Sequence, residues 1–446
     1  MSKHSDTMNA YVTAFDDFEA TLNGGATSAL HAKRREGIAH LRQDGLPTAR
    51  FEAWRHTNPA PLTSTCYAPV ESPGQITAAD IAPFVAANVD GPLLVFTDGS
   101  FTLELSSLDT LPAGVQIHAL STTADGEQES LVANLASRTT LAESAGFAAL
   151  NTAFMRDGAV VTIDDNCRLD TPVQILHVNT GQPGLTTPRV LLRSGADSEV
   201  TVVESFAATT GGAGTLTNSV AEIGVGARAN VEYHRIHLHG AESFHTGSVH
   251  VTEQEGSRFT GHTFCLAGRI LREDVHTVLC GENIESTLNG LSLPHGEDHV
   301  DNYTTIEHAA PNCSSHELYK GVLGGRAHSV FRGKIHVHRV AQKTDAYQSN
   351  QNLLMSDDAE VNSKPQLEIY ADDVKCSHGS TTGQLDADAL FYLRTRGIGL
   401  QEARQVLTQA FAGELVDRVR HDGIRAHVDT LVAARLAILL GHQGGA

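Results

Sequence analysis

The sequence predicts a mainly β protein, with a stacked β-helix core between helical N-terminal and C-terminal regions. From about Gly158, short alternating apolar runs dominate for roughly 220 residues, with no helical stripe to interrupt them. Weakly similar segments begin near Glu199, Ala229, Ser257 and Glu282, at intervals of 30, 28 and 25 residues. That spacing is close to one coil of a solenoid made of two or three short strands and their turns. Helical stripes are confined to the two ends. The period is loose, so a sandwich or barrel stays open at this point.

The elements follow in order. Phe15, Phe18 and Leu22 recur at helical spacing, and Leu30, Ile38 and Leu41 continue the apolar stripe until Gly45-Leu-Pro47 ends it. Leu93 to Thr97 and Phe101 to Leu105 flank Asp98-Gly99, a hairpin signal. A second helical stretch spans roughly Ser130 to Met155, with Leu131, Leu135, Phe147 and Leu150. These elements make residues 1–157 a mostly helical region with one hairpin near 93–105. Residues 158–383 form the β-helix core and 384–446 a C-terminal helical domain. In that last part Asp386 can cap a helix through Ala389 and Leu393 that stops at Gly397. A second helix places Ala403, Val406, Leu407, Ala410 and Phe411 on one face, and a third carries Ile424, Val428, Leu431, Leu436 and Leu439. Such stripes need a surface to bury against, on a neighbour or on a partner.

Composition bounds the function. At about 150 residues per unit, 446 residues imply two or three units. Asp and Glu outnumber Lys and Arg by 52 to 32, for a net charge of −20. A phosphate-tracking surface needs clustered Lys and Arg, so nucleic-acid binding is excluded as the ordinary reading. With 41% hydrophobic and 19% charged residues the chain can bury a substantial core. The stretch from Leu431 to Leu440 contains Arg435 and has half the length needed to cross a bilayer. Met1 to Thr7 has no apolar run of a secretory leader, and the six cysteines are dispersed without a Cys-x-x-Cys pair. These features predict a cytoplasmic protein.

Several constellations carry potential chemistry. His237-Leu-His239 and His336-Val-His338 each put two imidazoles on one strand face. Cupin enzymes follow such a pair with glutamate, but Glu242 comes too early and Val231 and Val330 stand where that pattern wants glycine. The preferred reading is imidazoles on solvated strand faces. Asp357-Asp358 and Asp372-Asp373 are adjacent carboxylates, and neighbours in a strand point to opposite faces, so neither pair forms an acid–base couple by itself. No phosphate loop, nucleophile elbow or dinucleotide fingerprint is present. If Ile369 to Val374 continues as a strand, Cys376 and His378 project on the same side. A thiolate and an imidazole so placed suit iron or zinc, but two ligands cannot complete a tetrahedral site. A buried structural cysteine beside an incidental histidine is the plainer alternative.

The run from Pro365 to Ile398, with Asp372-Asp-Val-Lys-Cys376-Ser-His378-Gly379 at its centre, closely resembles the signature of the SufB/SufD family. These are scaffold proteins of the SUF iron–sulfur cluster assembly system. Glu52-Ala-Trp-Arg-His-Thr57 and Phe147 to Phe154, with Asp157-Gly158, resemble two further family motifs, so the likeness covers most of the chain. Cys376 to Gly379 followed by Gly383 resembles the SufD branch, whereas the SufB branch carries Glu-His-Glu-Ala there. Ser380 and Thr382 replace the branch's usual alanine and valine.

The resemblance implies a right-handed parallel β-helix. It also implies a complex in which SufB pairs with the late β-helix strands and the ATPase SufC docks on the C-terminal helices. SufC-contact candidates are then Val406, Leu407, Ala410, Phe411, Val428 and Leu431. It implies no turnover chemistry, a share in iron acquisition, and His378 and Cys376 as ligands for iron or a transient cluster shared with SufB. The histidine is the favoured essential group. A reduced flavin is linked to the assembled complex in that family, and no flavin fingerprint is seen. A homodimer of the isolated chain stays open, as does a stand-alone β-helix or cupin-like metal-dependent enzyme.

Overall fold

The computed structural model describes residues 3–22, 28–108, 111–123 and 145–441. Helices α1 (Lys3–Ala20), α2 (Ala29–Asp44) and α3 (Ala145–Phe154) belong to the N-terminal part. Ser28 caps α2 by accepting from the His31 amide, and Gly45 ends it at φ 70°, where a β-carbon is disfavoured. Leu131 and Leu135 lie outside the described residues, whereas Phe147 and Leu150 are helical and buried.

The early strands are β1 (Leu93–Thr97), β2 (Ser100–Phe101), β3 (Val115–Ala119), β4 (Ala159–Ile163), β5 (Val173–Asn179), β6 (Gly184–Thr186) and β7 (Arg189–Ser194). The middle coils use β8 (Glu199–Ala208), β9 (Thr215–Val225), β10 (Asn230–Leu238), β11 (Phe244–Glu253), β12 (Arg258–Ala267), β13 (Ile270–Leu279) and β14 (Glu285–Ser292). The late coils use β15 (His295–Gly296), β16 (His299–His308), β17 (Ser314–Gly325), β18 (His328–Val337), β19 (Asp345–Leu354), β20 (Glu360–Ile369) and β21 (Lys375–Gly383). The predicted hairpin forms with Asp98 and Gly99 both at positive φ. Its second strand is shorter than expected, because Leu103–Leu105 is a 3₁₀ turn.

From β8 onward the chain alternates between two sheets, one strand in each per coil, and neighbouring strands pair in parallel. This is the parallel β-solenoid. Arg258 lies opposite Asn230 and Glu285 opposite Arg258, so these coils are 28 and 27 residues apart. The same turn recurs on coil after coil, with Asp197, Arg228, Gly256, Asn283, Asn312 and Lys343 in the left-handed region. Their amides continue the ladder from turn to turn, as Asp197 N bonds Ala227 O and Arg228 N bonds Glu255 O. The sheets also recruit β1 and β3 from the N-terminal region.

Alternation sends one side of each strand into the bore, where Val202, Val231, Val251, Phe259, Leu288 and Ile306 form an apolar core. The outer side of one sheet is covered by helices α5 (Leu400–Val416) and α6 (Asp422–Leu439), which follow the shorter α4 (Ala387–Thr395). Ala412, Leu415, Ile424, Val428 and Leu436 bury against Ile236, Phe264, Leu291 and Leu318 there. Asp386 caps α4 by accepting from the Asp388 and Ala389 amides, as its sequence position predicts. The other sheet is covered by the N-terminal part. The Arg272 guanidinium stacks 4.2 Å from the Trp54 ring, and Asn151 donates to the carbonyls of Pro188 and Asn218. Among the described residues, no helix is long and apolar enough to cross a membrane.

Candidate functional site

The two sheets end on β20 and β21, which are the last strands of their ladders. On β21, Cys376 pairs with Ala346 and His378 with Gln348. Ala346 and Gln348 are buried in the bore, so Cys376 and His378 continue the inward column of the preceding strand. Among the described residues, no further coil covers them. Cys376 is half-buried and packs against Ile335, Val337, Ala341 and Ala346, whereas His378 is exposed. Burial, reinforced by the Asp345 carboxylate, pushes the Cys376 thiol up, so it is protonated at neutral pH. The arrangement offers one imidazole and one thiol on one face. Among the described residues, the clusters of three or more metal-ligand side chains include neither of them. This chain therefore brings two ligands to that face, short of a tetrahedral set.

Deeper in the bore the chemistry is ionic. Arg235 lies between the carboxylates of Glu204 and Glu273, all three fully buried. Burial works to lower the Arg235 guanidinium, but Glu204 and Glu273 raise it above its ordinary value. Glu273 is pushed up to about 7 by burial, against the attraction of Arg235. His237, His239 and His245 gather beside this group, with their ligand atoms within 4.8 Å of one another. Phe206 stacks on His237 at 5.0 Å, and burial holds all three imidazoles well below their ordinary range. The solvated-face reading of His237 and His239 is thus overturned. In a closed solenoid one side of each strand faces the bore, and these two imidazoles are buried there. A second cluster, Glu232, His234 and His262, is buried where the Arg420 amide donates to Glu232 at 3.3 Å.

Residues 177–411 match the SufBD core domain of SUF system iron–sulfur cluster assembly, and residues 5–175 match the SufBD N-terminal region. The chain is 31% identical over 430 residues to an iron–sulfur cluster assembly SufBD family protein of Synechocystis, covering 94% of each. It is 31% identical over 410 residues to the iron–sulfur cluster assembly protein SufD of Escherichia coli, covering 90% of this chain and 92% of that one. The Bacillus subtilis SufD is 25% identical over 296 residues, covering 65% of this chain and 66% of that one. This chain belongs to the SufBD family. The SufD likeness and the parallel solenoid agree with the expectation drawn from Cys376 to Gly383.

In this SufBD chain α6 buries Ile424, Val428, Leu436 and Leu439 of its predicted stripe, whereas α5 turns differently. Helix α5 buries Ala403, Thr408, Ala412, Leu415 and Val416. Val406 is 45% exposed, Ala410 is exposed, and Leu407 and Phe411 are half-buried. Val428 is fully buried against the sheet, so its side chain is not on a surface where a partner could dock, and Leu431 is half-buried. The reason is competition between two apolar sides of one helix. The sheet takes the side with Ala412 and Leu415, and Val406 is left outside. Phe391, Tyr392 and Leu400 are exposed as well and were not singled out in the sequence. Sequence reasoning also missed Glu307, which pairs across the sheet with His336. The coil period was the signal that could have found it, because Glu307 stands one coil before His336.

Proposed function

We propose that this SufBD family chain is a non-enzymatic scaffold subunit that works with SufB and the ATPase SufC in the cytoplasm. Cys376 and His378 then hold iron or a transient cluster shared with SufB. The observation that carries this reading is the uncovered last coil. It ends both sheets on edge strands, which are templates for pairing with another chain. It also sets a thiol and an imidazole, too few for a closed site, on the face such a partner would cover. The imidazole is the stronger ligand candidate, since the raised Cys376 thiol must first lose a proton. Exposed Phe391, Tyr392, Leu400 and Val406 offer apolar area for SufC on α4 and α5. No disulfide joins any two of the six cysteines, in keeping with a reducing compartment.

The test is anaerobic co-expression with SufB and SufC. His378→Ala should leave the three-protein complex intact by size-exclusion chromatography and abolish cluster absorbance, with Cys376→Ala milder. Normal cluster yield from His378→Ala, in cells relying on this pathway alone, would remove the ligand role.

A further inference from the structure

We propose that Glu307, His336 and His338 form a surface site for one divalent transition-metal ion, separate from Cys376 and His378. Three clusters with metal-ligand chemistry occur among the described residues, and this is the one whose members are all half-exposed. The side chains of His336, His338 and Glu307 are 25%, 40% and 28% exposed, so an ion reaches them without opening the fold. The strands supply the geometry. Glu307 on β16 is the register partner of His336 on β18, and His338 follows two residues on, facing the same way.

The ligand atoms are already close. His338 Nε2 lies 2.5 Å from Glu307 Oε1, and all three candidate atoms fall within 4.8 Å of one another. Ligands sharing one ion at about 2.1 Å stand at most about 4.2 Å apart, so small side-chain rotations complete the set. The surroundings fit a ligand role. His336 Nδ1 donates to Glu368 Oε2 at 3.1 Å, a contact that orients a ligating imidazole and leaves Nε2 for the ion. Lys334 Nζ, 2.9 Å from that same oxygen, balances the Glu368 charge. On the far side, His276 Nε2 lies 3.4 Å from Glu307 Oε2 and fixes the carboxylate. A cleft lined by His336, His338, Arg339, Tyr370 and Asp372 leaves room for waters on open coordination positions. Two imidazoles and one carboxylate with open positions suit Zn²⁺ or Fe²⁺ rather than Ca²⁺ or Mg²⁺.

The test titrates the full-length, metal-free chain anaerobically with Co²⁺, read by its visible d–d bands, and with Zn²⁺, read by calorimetry. The wild type should bind one ion at this site. The His336→Ala, His338→Ala double variant should weaken that binding about 100-fold or more. A Cys376→Ala, His378→Ala double variant should keep it. No binding by the wild type, or unchanged binding by the first variant, would overturn the proposal. Should that variant not fold, X-ray absorption of the wild-type Zn²⁺ complex decides. A nitrogen and oxygen shell with two imidazoles supports the site, and sulfur in the shell overturns it.

Discussion

His378 stands directly after Gln348 in one inward-facing column, yet Gln348 is fully buried and His378 is exposed. The residue types do not explain the difference. Gln348 has β21 packed beyond it and donates to the buried Glu317, whereas His378 is on the last strand of its sheet. A bore residue becomes a surface residue where the solenoid ends.

Separating surface from core on the C-terminal helices gives the first prediction. Val406→Asp should leave the melting temperature nearly unchanged while weakening SufC capture. Val428→Ala should cost about 2 kcal/mol, because it opens a cavity against the sheet. Removing everything after Gly397 would be a poor test, since it strips the cover from Phe264, Leu291 and Leu318. Thermal melts with a pull-down check both variants, and full SufC capture by Val406→Asp would count against docking there.

Arg235→Ala should destabilise the fold by about 3–5 kcal/mol, measured by chemical denaturation. Glu204 and Glu273 would be left buried without their shared cation. A loss below about 1 kcal/mol would mean that the triad is hydrated or already neutral.

Glu253 faces the bore, fully buried, and burial pushes its carboxyl from 4.5 up to about 8, with Ser286 giving partial relief. Between those values the folded state keeps a proton that the unfolded state has lost. This group's contribution to stability therefore falls as pH rises from about 4.5 to about 8, and is flat on either side. Glu253→Gln should remove that decline and stabilise the protein at pH 8 by a few kcal/mol, on the order set by the shift. Denaturation curves at pH 5 and pH 8 check the sign. An unchanged slope for the variant would assign the pH dependence elsewhere.

Asn283 holds φ 59° at the recurring turn between the sheets and is exposed. Asn283→Ala should cost about 1 kcal/mol, since a β-carbon without a compensating polar group disfavours that region, and Asn283→Gly should be near neutral. Equal melting temperatures for the alanine and glycine variants would refute the strain argument.

The sequence by itself determined a mainly β core of stacked-strand texture, its helical ends and several element boundaries, with a sandwich or barrel open beside the solenoid until the family signature was read. Strand alternation and the recurrence from Glu199 to Glu282 are local signals of backbone geometry. So are the cap at Asp386, the stop at Gly45 and the Asp98-Gly99 turn. The Cys376 to Gly383 signature was equally legible, since it lies on one continuous strand. Tertiary structure alone decided which face was which. A period of two divides a strand into two sides without naming the bore, so His237 and His336, in identical His-x-His patterns, ended on opposite sides. Helix α5 carries apolar groups on two sides, and only the sheet's shape chose Ala412 over Val406. Glu307 meets His336 because one coil closes at that length, and the loose recurrence in the sequence does not by itself fix that register.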